Sequence, residues 1–167
     1  MTKVRHLLRA ARVVALLAAV LSVAACANKP GENALANAST AATPGSQQEF
    51  QVNVGDRVFF ATDSSALSEQ ARATLDKQAQ WLNNYPAYTF TIEGHTDDRG
   101  TREYNLALGA RRAQMVHDYL IARGIAANRI HTISYGKERP VAVCENESCW
   151  SQNRRAVTVL NSYPASS

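Results

Sequence analysis

The sequence predicts a two-layer α/β sandwich with the element order β-α-β-α-β-β, and three observations carry that prediction. Strand-like and helix-like hydrophobic patterns alternate along residues 49–163. Each helical pattern has a capping residue at its start and a stop signal at its end. The stretch is long enough for one hydrophobic core and no more. No internal repeat is present.

The elements follow in order. Residues 57–61 form the first strand. Helix one spans 68–82, with Ser68 as N-cap, Glu69 and Gln70 behind it, and Ala71, Leu75, Ala79 and Leu82 along one side. Asn83, Asn84, Tyr85 and Pro86 stop it. The second strand covers 88–93. Helix two spans 102–123, with Thr101 as N-cap, Glu103 where the helix dipole favours an acid, and Gly124 as the stop. Strands at 131–135 and 156–160 complete the set. In helix two, Asn105, Leu108 and Arg112 recur at helical spacing and share one stripe. Arg112 lies roughly 10 Å along the axis from Asn105, and its side chain can lean back toward the helix start.

The ends are organised differently. Lys3, Arg5, Arg9 and Arg12 precede an apolar run from Val13 to Leu21, which is too short to span a bilayer as a mature helix. Ser22, Val23, Ala24, Ala25 and Cys26 follow. Small residues before a cysteine resemble the bacterial lipobox, with Val23 in place of the commoner Leu. That resemblance implies a lipoprotein signal at 1–25, a covalent lipid on Cys26, and cleavage before it. An ordinary secretory signal near a chance cysteine is the alternative. Ala27 is not Asp, which by the same resemblance favours transport to the outer membrane. Residues 26–48, rich in Ala, Asn, Ser, Thr, Gly and Pro, read as a flexible tether.

Charge excludes one class of partner. The chain has 18 Lys and Arg against 14 Asp and Glu, but four of the bases lie in the first 25 residues. The rest is balanced, so the pI near 9.1 reflects the signal and not a nucleic-acid footprint.

The most informative stretch is Ile92, Glu93, Gly94, His95, Thr96, Asp97, Asp98, Arg99 and Gly100, followed by Asn105 through Arg112. A strand ends in a polar loop that opens directly onto a helix. The junction offers a carboxylate at Asp97, a guanidinium at Arg112 and helix-terminal amides, a set suited to a ligand carrying both an ammonium and a carboxylate. Spacing alone favours a purely structural ion pair between Asp97 and Arg112.

This pattern resembles the C-terminal domain of the OmpA-like superfamily, which binds peptidoglycan. The family form is roughly T-D-x-x-G, then N-x-x-L-[SG]-x-x-R-[RA], then a Gly-Ile after a helix. Here it is met by Thr96 to Gly100, Asn105 to Arg112, and Gly124 with Ile125. Ser134-Tyr135-Gly136 and Asn153-Arg154-Arg155 follow in order. The stretches 94–101 and 134–140 look like the Tol-Pal branch. The resemblance implies an OmpA-like fold, no catalysis and no cofactor beyond the lipid. It implies an outer-membrane lipoprotein, its domain facing the periplasm, that tethers the membrane to the cell wall and supports constriction at division. TolB and other Tol-Pal components are the implied protein partners. Residues matching Asp97 and Arg112 grip diaminopimelate in such domains. Asp63, Arg99, Thr101, Asn105 and Leu108 match other groove positions, although Asn105 fits helix-start hydrogen bonding and Leu108 fits the core as well. Thr62 departs from the Phe common there, removing an aromatic wall.

Cys144 and Cys149 flank four residues. In an oxidising periplasm they close a surface loop as a disulfide. They supply too few ligands for a metal, and the spacing is not Cys-x-x-Cys.

Two other functions compete. A metal-dependent enzyme could use His95, Asp97 and Asp98 with His117 or His131, but no H-E-x-x-H spacing, nucleophile elbow or phosphate loop occurs. An OmpA-like lipoprotein could instead anchor another envelope machine.

Overall fold

In a computed structural model of the protein, residues 42–161 are described. Cys26, the signal and most of the tether fall outside them. The elements are β1 (Arg57–Phe59), α1 (Glu69–Asn84), β2 (Phe90–His95), α2 (Arg102–Ala122), β3 (Ile130–Gly136), α3 (Glu147–Asn153) and β4 (Arg155–Leu160). A helical lead-in precedes them, one α-helical turn (Gln47–Glu49) running into a π-helix (Phe50–Gly55).

The four strands form one sheet in the order β1-β4-β2-β3. The last strand, β4, lies antiparallel to both β1 and β2, pairing Val58 with Ala156 and Ile92 with Thr158. β2 and β3 run parallel, which requires a crossover, and α2 supplies it. Alternate residues of the central strands (Phe90, Ile92, Ala156, Leu160) join Leu75, Leu82, Ala113, Val116 and Leu120 of the helices in one buried cluster. Helices on one face of a mixed sheet make the two-layer sandwich that alternating periodicities predict.

Local chemistry accounts for the boundaries. The Ser68 hydroxyl accepts from Ala71 N at 3.1 Å and the Thr101 hydroxyl from Tyr104 N at 3.2 Å, the two capping interactions expected. Gly124 ends α2 with φ +92°, a left-handed conformation that suits glycine. β1 is shorter than 57–61: its register with β4 ends at Phe59 opposite Arg155, and the chain then turns at Asp63, whose φ is +54°.

Two elements were not expected. The order β-α-β-α-β-β omits α3, whose seven residues are too few to show helical periodicity. Its start is marked by Asn146, which caps Ser148 N. The lead-in is the second. Contacts with the core begin at Gly45, inside the stretch that composition assigns to the tether: Tyr88 donates to Gly45 O at 2.8 Å, and Trp81 Nε1 donates to Glu49 at 2.8 Å. Phe50 is fully buried, its ring centre 4.9 Å from that of Trp81.

One close approach positions the site. Where α2 crosses β2, a Cβ on Gly94 would stand 1.9 Å from the backbone oxygen of Gly109, and one on Gly109 would stand 2.3 Å from Ser134 Oγ. Backbone cannot yield as a flexible side chain does. Gly94→Ala is therefore expected to push α2 off the sheet, at or above the upper end of the ~1–3 kcal/mol typical of overpacking. Urea denaturation measures this directly, as a lower midpoint with an unchanged slope.

Candidate functional site

β2 carries the chain to His95 with a register shift against β3 at Gly94/His95. Thr96 N then donates to Gly136 O at 2.9 Å, which fixes the start of the loop 96–101. Gly100 takes φ +88°, a conformation open to glycine, and turns the chain into α2. Asn105 staples the loop from inside: its Nδ2 donates to Arg99 O at 2.7 Å and to Thr101 O at 3.0 Å.

Beneath this loop lies an open cavity of about 290 Å³, lined by Thr62, Asp63, Asp97, Arg99, Gly100, Tyr104, Asn105 and Leu108. Five of the residues singled out in the sequence (Asp63, Asp97, Arg99, Asn105 and Leu108) therefore meet around one space. Thr101 does not line it, because its hydroxyl caps α2.

Arg112 is placed differently from an exposed ligand-binding guanidinium. It is fully buried. Nε donates to Ser64 O at 2.8 Å, Nη1 to His95 O at 2.8 Å and Nη2 to Ala61 O at 3.1 Å. The guanidinium carbon also lies 5.1 Å from the centre of the Phe60 ring. Burial pulls the Arg112 pKa down to about 10, with the Asp97 charge acting in the opposite direction, so the group stays cationic at neutral pH. Arg112 thus joins the loop after β1 to the end of β2. It is not directly paired with Asp97.

Asp97 pairs elsewhere. Its Oδ2 accepts from Arg99 Nη2 at 2.6 Å and from Arg154 Nη1 at 3.3 Å. Among the described residues, Oδ1 receives only Arg99 N, at 3.4 Å. Burial pushes the Asp97 carboxyl up, but the two arginines outweigh it and hold its pKa below the ordinary carboxylate value. Arg99 lies 4.2 Å over the Trp150 ring, a cation–π contact. Asp63 accepts a hydrogen bond from the Tyr104 hydroxyl. The space is therefore walled by two carboxylates, Asp63 and Asp97, and by the exposed guanidinium of Arg99. Such a wall can hold an ammonium and a carboxylate of one ligand.

Tyr104, Trp150 and Arg154 escaped the sequence reading. Arg154 stood within a quoted motif but without a role, because only the fold brings it to Asp97. Tyr104 carried a usable signal, an aromatic residue beside Asn105 at the helix start.

The histidines are dispersed among other tasks. His95 is buried, and burial, then Arg155 and Arg139, pull its pKa down to about 4, so it is neutral at pH 7. Its Nε2 is 3.4 Å from Glu93 but lacks hydrogen-bond geometry. His117 contacts Asp118 on α2 at 2.9 Å, and His131 lies on β3 beside Thr91. Among the described residues, no group of three His, Cys, Asp or Glu is placed to hold a metal ion, and no helix is long and apolar enough to cross a membrane. Cys144 and Cys149 form the disulfide, with Cα atoms 5.6 Å apart.

Comparison with known proteins is consistent over the whole folded part. The sequence profile of the OmpA family matches residues 59–156. The peptidoglycan-associated lipoprotein of Rhizobium meliloti (strain 1021) is 63% identical over 152 residues, 89% of this chain and 86% of that protein. The crystal structure of the peptidoglycan-associated lipoprotein from Burkholderia pseudomallei superposes with a TM-score of 0.62 at 42% identity, covering 64% of this chain and 90% of that one. The C-terminal domain of Helicobacter pylori MotB superposes with a TM-score of 0.60 at 24% identity, over 64% of this chain and 84% of that one, a likeness of fold alone.

Proposed function

The chain belongs to the OmpA family, and we propose that it is an outer-membrane lipoprotein whose folded domain binds the diaminopimelate-containing stem peptide of peptidoglycan. Family membership makes it a binding protein and not an enzyme. The observation that carries the rest is the cavity at the loop–α2 junction. Asp97 is kept ionised there, Asp63 faces the same space, and Arg99 stands at the rim.

A diaminopimelate side chain ends in an ammonium and a carboxylate on one carbon. The carboxylates Asp97 and Asp63 suit the ammonium, and the guanidinium of Arg99, with the buried Arg112 charge close enough to act on Asp97, suits the carboxylate. The 42% identical relative is a peptidoglycan-associated lipoprotein, whereas the MotB domain is only 24% identical. The tether reading therefore stands ahead of service in another envelope machine. TolB and other Tol-Pal components are the partners we propose on the stretches 94–101 and 134–140, with a role at envelope constriction.

Co-sedimentation with purified sacculi tests the wall-binding part. The chain is expected to sediment with them and to be released by free diaminopimelate tetrapeptide. Retention in the supernatant contradicts the proposal. The anchor is tested separately. Cys26→Ser removes the sulfur that would carry lipid, since lipid chains hold the membrane by roughly 0.8 kcal/mol per buried methylene. The variant is expected to leave the membrane fraction and to lose labelling by a fatty-acid probe.

A further inference from the structure

We infer that Arg154, presented by the clip of residues 144–153, is the positioning residue that sets the orientation of Asp97 for ligand binding. This rests on the reading of the cavity as the diaminopimelate site.

Arg154 follows α3 directly and is almost wholly buried, its side chain 6% exposed. It touches three parts of the molecule at once. Nε donates to Phe60 O at 3.1 Å, at the end of β1; Nη1 reaches Asp97 Oδ2 at 3.3 Å; Nη2 pairs with Glu147 on the first turn of α3. Its own backbone oxygen accepts from Phe60 N at 2.9 Å. A planar guanidinium held at three points has little freedom left.

The clip that carries it is tied at both ends. The Cys144–Cys149 disulfide closes the turn into α3. At the other end, Asn153 accepts from Val141 N and Ala142 N at 2.8 and 3.2 Å and donates to Ala142 O at 2.8 Å. The same short helix places Trp150 under Arg99.

The consequence for Asp97 lies in how its two oxygens are used. Both guanidinium groups bond Oδ2, while among the described residues Oδ1 keeps a single long backbone contact. An ionised carboxylate has about four acceptor sites, so Oδ1 retains room for a ligand ammonium. Arg99 is on the exposed loop and can move aside. Arg154 cannot, so it alone keeps Oδ2 occupied and Oδ1 free while a ligand enters. Groups held from behind in this way lose precision when the support is removed.

The test uses the full lipidated chain in detergent, titrated with diaminopimelate tetrapeptide across pH, with a thermal melt of each variant. Arg154→Gln is expected to bind about 10- to 100-fold more weakly, the range seen when outer partners of ligating groups are removed from metal sites. The pH at which binding is lost on acidification should rise, because one of the two charges holding Asp97 ionised is gone. Arg154→Lys should restore the acid midpoint but only part of the affinity, since an ammonium cannot serve all three partners. A folded Arg154→Gln with wild-type affinity and an unmoved midpoint overturns the inference. If Arg154→Gln does not fold, Arg154→Lys decides alone: weaker binding supports the inference and wild-type affinity overturns it. Asp97→Asn runs beside them. If it too binds as wild type, the cavity is not the site; if it loses binding while the Arg154 variants do not, only the positioning role falls.

Discussion

Asp97→Asn is expected to reduce the affinity for diaminopimelate tetrapeptide by roughly 30- to 4000-fold, with the chain still folded. The range converts the ~2–5 kcal/mol typical of removing one partner from a desolvated, hydrogen-bonded charge pair. Asparagine keeps the shape and one acceptor oxygen, so Arg99 and Arg154 can still be met in part, and Arg154 retains Glu147 and Phe60 O. The ligand ammonium has no such substitute. Calorimetric titration beside a thermal melt separates the two effects. The pH dependence follows from the lowered pKa of Asp97. A depressed carboxylate pKa contributes stability that is present above the unfolded value of about 3.9 and is lost as pH falls through the folded value. Between pH 5 and 8, Asp97 stays ionised, so this group adds no pH dependence to binding there.

Arg112→Met is expected to act first on stability. It strips the donor from three backbone carbonyls, those of Ala61, Ser64 and His95. A buried acceptor left without a partner costs about 1–3 kcal/mol, and breaking a buried charged network about 3–5 kcal/mol. Against a typical total of ~5–15 kcal/mol, a loss of that size leaves a marginal fold. The urea midpoint should fall steeply, and sacculus binding should fall with the folded fraction. Arg112→Lys should recover only part, since an ammonium lacks the rigid fork that meets three carbonyls. A variant that melts like wild type yet no longer binds would show instead that the Arg112 guanidinium meets the ligand itself.

These two residues show how far the sequence could be followed. Asp97 and Arg112 were both recognisable from the loop–helix junction, and the stripe Asn105, Leu108 and Arg112 is buried as helical spacing requires. What spacing could not show is where a long side chain ends. Arg112 is close enough in sequence to suggest a pair with Asp97, but the fold places carbonyls of the β1–α1 loop nearer. The actual partners of Asp97 divide the same way. Arg99 is two residues away and was named only as a groove position; Arg154 is 57 positions away and comes near only because β4 lies between β1 and β2.

The fold was legible where patterns are long. The 16 residues of α1 and the 21 of α2 hold several turns of periodicity and carry their caps in plain view. The seven residues of α3 do not, and their stability comes from the disulfide, the Asn146 cap and the Asn153 bonds to residues 141–142. The lead-in was hidden for a similar reason. Residues 45–48 have the composition of a linker, and the contacts with Trp81 are made by Glu49 and Phe50 just after them.

The central claim is that the ligand sits in the cavity between the 96–101 loop and the start of α2. Titrating the isotope-labelled chain with diaminopimelate tetrapeptide, and following backbone amide shifts by NMR, tests it most directly. The account predicts the largest saturable changes at Asp63, Asp97, Arg99, Gly100 and Asn105, and their disappearance when the side-chain carboxylate of diaminopimelate is amidated. Saturable changes confined to another surface, or unaltered by amidation, would contradict it.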